Sequence, residues 1–342
     1  MGGRKVQEFE KACREYFGVK YVVTTNSWTS GLITALGALD IEPGDEIIVS
    51  PWTMSACITS IIFWNAIPVF ADIEKDYYTI SPQEIENKIT KKTKAIMSID
   101  IFGQSADMNK INKVAKKYNL KVISDTAQAI GSKYNGRFSG TMADIGGFSL
   151  NYHKHIHTGE GGVLVTNNKK FANKMRLIRN HGESVIKKTA SKTELINSFG
   201  FNFRMGEIEA TIGIEQLKKL KKILKKNTSI AKMITKELSK LNGLSLPKIR
   251  KNASHVYYVY PMLIDPQKCK FSKFQLKNFL KKKGVYIGTD YVNLHLLPLF
   301  KHQIAYGKNN FPWSISNKNY IYKKGDCPVA ENYKTDKFIC IS

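Results

Sequence analysis

His153, Lys154, His155 and His157 crowd into the run NYHKHIHTGEGG at residues 151–162. Such a run suits a metal site, a basic clamp on nucleic acid, or a buried lysine that attacks a carbonyl. A metal site needs further ligands, and the sequence offers none at a telling distance. A desolvated lysine loses proton affinity and becomes a nucleophile toward carbonyl carbon. Ser149 precedes Lys154 at the end of an apolar run, and the glycines that follow let backbone approach a ligand closely.

Two other stretches carry matching chemistry. In TTNSWTSG (24–31), Thr29 and Ser30 stand at or near the start of a helix, where hydroxyls and free amides bind phosphate; an ordinary helix cap explains them as well. In ISDTAQA (123–129), Asp125 ends an apolar strand, where a carboxylate is costly unless it meets a cation. Gln128 follows it at the start of a turn. A helix cap by Asp125 is the competing explanation.

The elements that position these groups follow from periodicity. Short apolar runs at 20–26, 45–51, 66–73, 93–103 and 120–127 read as strands. Helical stretches at 29–39, 53–64, 81–89 and 107–119 lie between them. Strand–helix alternation implies crossover units and a largely parallel sheet covered on both faces. In such sheets ligands sit beyond the carboxyl ends of the strands, where Thr29, Asp125 and Ser149 fall. Strands at 144–151 and 161–167 flank the lysine run. A long helix (203–238), a strand (255–264), a helix (272–283) and a loop-rich aromatic tail follow. A boundary near residue 235 divides the chain into 1–235 and 236–342.

The 342 residues, 42% of them hydrophobic, support a large core. No apolar run reaches the length of a membrane span. The first residues read as an amphipathic helix without the apolar centre of a signal peptide, so a cytoplasmic protein is expected. Five scattered cysteines argue for reduced thiols rather than disulfides or a zinc knuckle. The net charge of +25 favours anionic partners. Much of it lies in lysine runs such as KKLKKILKK (218–226), which read as solvated helix faces. Few aromatics interleave them, and neither a nucleic-acid nor a membrane partner is expected.

A phosphate cup, a carboxylate and a carbonyl-binding lysine are the contacts that pyridoxal 5'-phosphate requires. The set resembles the DegT/StrS-type sugar aminotransferases, of the aspartate aminotransferase fold. PGDEIIVSPWT (43–53), AIPVFADI (66–73), DIFGQSADM (100–108), SDTAQAIG (124–131), GGFSLNYHKHIHTGEGGVLVTNN (146–168), LIRNHGE (177–183) and GFNFRMGEIEATIG (200–213) carry the resemblance in the right order.

The resemblance implies an α/β, PLP-transferase type I fold: a large PLP-binding domain with a mostly parallel seven-stranded sheet, and a small C-terminal α+β domain. It implies that Lys154 forms the Schiff base and shuttles a proton, and that Asp125 pairs with the ring nitrogen. Gln128 would contact the ring hydroxyl side, and Thr29, Ser30 and Ser149 would hold the phosphate. Asn202 matches an Asn that reaches the phosphate of the other subunit, with Arg204 nearby, so a homodimer with shared active sites is implied. His155 is the histidine best suited to face substrate; no metal is expected. The substrate class implied is a nucleotide-diphosphate keto-sugar, with glutamate as amino donor.

Members with histidine at the lysine position dehydrate sugars, so Lys154 favours amino transfer over a PLP-dependent dehydratase. A basic regulatory or nucleic-acid-binding protein on the same fold is the alternative outside enzymology. The sequence departs from the family at Trp28, where a small residue is usual. It departs again at Met54, where an aromatic usually stacks on the cofactor; Trp52 lies two residues earlier. The chain also starts later and ends earlier than typical members.

Overall fold

The computed structural model describes residues 2–183, 198–288 and 291–341. Its centre is a seven-stranded sheet. The strands are β1 (Tyr21–Thr25), β2 (Glu46–Val49), β3 (Ile67–Phe70), β4 (Thr93–Ile99), β5 (Lys121–Asp125), β8 (Ile145–Ser149) and β9 (Gly162–Thr166). A short ribbon of β6 (Lys133–Tyr134) and β7 (Arg137–Phe138) lies outside the sheet. The spatial order is β1-β9-β8-β5-β4-β2-β3. Pairing is parallel from β8 through β3, and β9 runs antiparallel to both of its neighbours. The mostly parallel sheet expected from the sequence is therefore present.

Both faces are covered, which is why the strands read as continuous apolar runs. Ile47 and Val49 join a layer with Leu36 and Ile61, while Ile48 between them joins Ile111 and Val122 on the other face. The intervening helices are α1 (Arg4–Phe17), α2 (Trp28–Ala38), α3 (Ser55–Phe63), α4 (Pro82–Lys88), α5 (Met108–Lys117) and α6 (Lys169–Arg179). Ser81 caps α4 through the Glu84 amide, with Pro82 in the first turn, as the sequence indicates.

The long helix α7 (Glu207–Leu238) contains residue 235, so the expected boundary falls inside it. Beyond it lies a four-stranded antiparallel sheet in the order β10 (Leu244–Ser245), β11 (Tyr260–Ile264), β13 (Phe338–Ile341) and β12 (Ile287–Gly288). The strand expected at 255–264 begins only at Tyr260. The preceding backbone is spent elsewhere: Val256 N–H donates to Gly103 O at 2.8 Å, and Tyr258 N–H to Phe102 O at 3.0 Å. This segment crosses to the loop after β4 instead of joining the sheet. The tail is more ordered than expected. Phe300, Trp313 and Tyr333 pack into the layer containing Leu36 and Ile61, and β13 sits inside the second sheet. No helix among the described residues is long and apolar enough to cross a membrane.

Candidate active site

The carboxyl ends of β1, β5 and β8 open onto one cleft of about 480 Å³. Thr29, Met54, Asp125, Gln128, Ser149 and Lys154 line it. Six sequence-indicated residues thus meet in space.

Lys154 owes its position to a clamped loop. β8 and β9 are antiparallel neighbours, and Leu150 N–H donates to Gly161 O at 2.8 Å across their ends. Thr158 N–H returns to Leu150 O at 2.9 Å, and Lys154 N–H to Asn151 O at 2.9 Å. The Lys154 ammonium makes no ion pair among the described residues. It lies 4.5 Å from the ring centroid of Tyr258, the residue delivered by the crossing segment. Burial lowers its pKa from the usual lysine value, and the charges of Asp125 and Glu160 oppose that shift. A partly desolvated, unpaired amine facing a cleft is poised to act on a carbonyl.

Asp125 is 5% exposed. Its Oδ1 accepts from Trp28 Nε1 at 2.7 Å and from Ala127 N–H at 3.0 Å, and its Oδ2 from the Cys57 thiol at 3.1 Å. The side chain bonds its own turn and caps no helix. Gln128 Oε1 accepts from Phe102 N–H at 2.8 Å, and its amide donates to the Tyr291 hydroxyl at 3.1 Å.

The helix start differs in detail from expectation. Ser27 is the N-cap of α2, accepting from Ser30 N–H at 3.1 Å. Thr29 stands in the first turn and lines the cleft, as does Ser27. Ser30 stands behind, its hydroxyl 2.8 Å from that of Ser27, and is not part of the cleft wall. Ser149 Oγ accepts from Asn151 N–H at 3.3 Å. Met54 is 65% exposed at the start of α3. Trp52 is wholly buried, donating to Asn293 Oδ1 at 2.9 Å, so Met54 borders the cleft and Trp52 does not.

Besides Ser30, three expected residues lie outside this cleft. His155 bonds through Nε2 to the Val256 carbonyl at 3.0 Å; its neighbour His153 lines the cleft instead. Arg204 donates to Asn180 Oδ1 at 2.9 Å. Asn202 is exposed and bridges to Asn180. No group of three His, Cys, Asp or Glu side chains among the described residues is placed to hold a metal.

The sequence reading missed Tyr258, Tyr291 and Cys57. All three come from elsewhere in the chain and carry no local motif, so only the fold brings them to Lys154 and Asp125. Trp28 was noted as unusual, without its bond to Asp125.

The donor set fits pyridoxal phosphate. A helix start with hydroxyls suits the phosphate, a buried carboxylate suits a protonated ring nitrogen, and an unpaired amine suits the aldehyde.

Comparison with known proteins agrees. Residues 1–333 match the DegT/DnrJ/EryC1/StrS aminotransferase family. GDP-perosamine synthase of Caulobacter vibrioides is 34% identical, over 88% of this chain and 80% of the relative. The UDP-4-amino-4,6-dideoxy-N-acetyl-beta-L-altrosamine transaminase of Campylobacter jejuni strain 81-176 is 34% identical, over 99% and 88%. The crystal structure of NtdA from Bacillus subtilis, with bound cofactor PMP, superposes with a TM-score of 0.81 at 26% identity, covering 99% of this chain and 72% of that one. The chain therefore belongs to the DegT/DnrJ/EryC1/StrS aminotransferase family and is a pyridoxal-phosphate-dependent transaminase.

Proposed function

We propose that this transaminase converts a nucleotide-linked keto-sugar to an amino-sugar, with glutamate as amino donor. The unpaired Lys154 amine facing the same cleft as the buried Asp125 carboxylate carries the reading. The GDP- and UDP-sugar activities named for the two relatives support the substrate class and leave the nucleotide open.

When bound, pyridoxal phosphate supplies an electron sink for the carbon that loses its proton. With the group bound, Lys154 would hold its aldehyde carbon and, once released from it by the incoming amino group, would be the amine that carries the proton, a task suited by a lowered amine pKa. Tyr258 keeps the lysine from swinging out of the cleft. Asp125 holds the proton on the ring nitrogen. Gln128 would orient the ring hydroxyl side, while the hydroxyls of Thr29, in the first turn of α2, and Ser149, at the end of β8, would donate to the phosphate.

Asn202 is exposed on its own subunit and suits a role at the cleft of a second copy, which makes the working unit a homodimer. Residues 1–235 form the cofactor-binding unit in this reading. Residues 236–342 bring Tyr258, Tyr291 and Cys340 to the far wall. The enzyme works in the cytoplasm, where sugar nucleotides are made.

The test is the visible absorption of the purified protein, before and after adding glutamate, with Lys154→Ala alongside. A cofactor band that shifts with glutamate, and is covalently retained on borohydride treatment only when Lys154 is present, supports the reading. A protein that stays colourless with added pyridoxal phosphate removes it. Salt-sensitive capture of random DNA by such a colourless protein would favour a binding role instead.

A further inference from the structure

We propose that Trp28 is a positioning residue for Asp125: its indole N–H holds the carboxylate ionised and correctly turned toward the cofactor's ring nitrogen. The proposal rests on the role given to Asp125 above.

The indole has one seat. A Cβ at Gly31 would lie 2.8 Å from Trp28 Cε3, and one at Gly147 would lie 2.4 Å from the indole's six-membered ring. Two glycines, one on α2 and one on β8, thus leave the slot that the indole occupies. The slot aims Nε1 at Asp125 Oδ1, 2.7 Å away.

The donors around this carboxylate are complementary. An ionised carboxylate offers about four acceptor positions. Trp28 and the Ala127 amide take those on Oδ1, and the Cys57 thiol takes one on Oδ2. One position on Oδ2 is left for the cofactor. Indole N–H is a donor only, so it stabilises the charged carboxylate and offers nothing to a protonated one. Hydrogen bonds to the charged form make a carboxylate a weaker base. A proton shared between Asp125 and a pyridine nitrogen therefore stays on the ring. Burial and the Asp125 charge hold the Cys57 thiol protonated, which keeps it a donor too.

Trp28 also fills space, so the test must separate the N–H from the ring. Trp28→Phe keeps an aromatic in the slot and removes the donor. Two readouts are taken against wild type and Asp125→Asn: pyridoxal phosphate affinity of the apoprotein, and the pH dependence of the holoenzyme's visible band. The expected result for Trp28→Phe is about tenfold weaker binding, with the ring-nitrogen transition moved to lower pH. Trp28→Phe that matches wild type in both readouts, while Asp125→Asn alters them, overturns the role of Trp28 alone. If Asp125→Asn also matches wild type, the assignment of Asp125 itself fails. Should Trp28→Phe not fold, Gly31→Ala, which crowds the indole out of its seat, is read by the same two criteria.

Discussion

Arg179 on α6 reaches Glu10 on α1 at 2.6 Å, and both side chains close around Thr24 of β1. Arg179 donates to the Thr24 carbonyl at 2.9 Å, and Glu10 accepts from the Thr24 amide at 2.9 Å. Thr24 lies just before the turn that starts α2, so this pair fixes the backbone that leads to Ser27 and Thr29 in the cleft. Arg179 is 3% exposed. Removing one partner of a buried pair leaves an uncompensated charge, worth about 3–5 kcal/mol. Glu10→Ala is expected to lower the stability of the apoprotein by about 3 kcal/mol, measured by urea denaturation. A loss below about 0.5 kcal/mol would show that water reaches the pair.

On the proposed phosphate role, the hydroxyls that line the cleft should act directly and the one behind it indirectly. Ser149→Ala and Thr29→Ala are each expected to weaken pyridoxal phosphate binding by about tenfold, as for a hydrogen bond to a charged group. Ser30→Ala, whose hydroxyl faces Ser27 rather than the cleft, is expected to change binding by less than about threefold. Fluorescence titration of the apoproteins orders the three; equal effects would mean that Ser30 contacts the phosphate.

The lowered pKa of Lys154 has a sign in stability. In the unfolded chain the amine titrates near the ordinary lysine value, and in the folded apoprotein lower. Between the two, the unfolded state binds more protons, so stability rises with pH through that window. Below it the burial cost is fully present. Lys154→Met is expected to raise apoprotein stability at neutral pH and to remove the rise toward alkaline pH. Urea titrations across that range decide, and parallel curves for the two proteins would refute it.

His255 gives the opposite end of the pH scale. Burial, then the nearby His155, lowers its pKa to about 3, and Nδ1 accepts from the Tyr257 amide at 3.0 Å. The folded state keeps the ring neutral, while the unfolded chain takes up a proton near pH 6.5. Stability is therefore lost as pH falls from about 6.5 toward 3. His255→Asn keeps an acceptor and cannot charge, so its stability curve is expected to be flatter over that interval. An unchanged slope would assign the acid sensitivity to other groups.

Much of the large sheet was legible because both of its faces are buried. Runs such as EIIV and YVVTT carry consecutive apolar residues without alternation, Ile47 to Val49 and Tyr21 to Val23, and are bounded by polar turns. What escaped depends on contacts far apart in the chain. Nothing local in HVYYVYPMLI shows that its first half bonds to Phe102 and Gly103, yet that detour places Tyr258 beside Lys154. FICI is too short to show a period, although it becomes an inner strand of the second sheet. His155 was expected to face substrate, but the loop turns it onto the Val256 carbonyl. Ser30 was expected, with Thr29, from its place near the helix start; the structure makes Ser27 the N-cap and lines the cleft with Ser27 and Thr29.

The place of β13 bears on how the protein is made. Phe338 stacks on Phe102 at 5.3 Å between ring centroids and meets Trp52 edge-on at 5.0 Å. Both partners belong to the first third of the sequence. During synthesis they emerge from the ribosome long before residues 338–341. Until then β11 and β12 have no strand between them, and the aromatic layer beneath the cleft has an open side. The nascent chain must carry that exposed surface for most of its translation. Chaperone binding should therefore concentrate on chains released before residue 338.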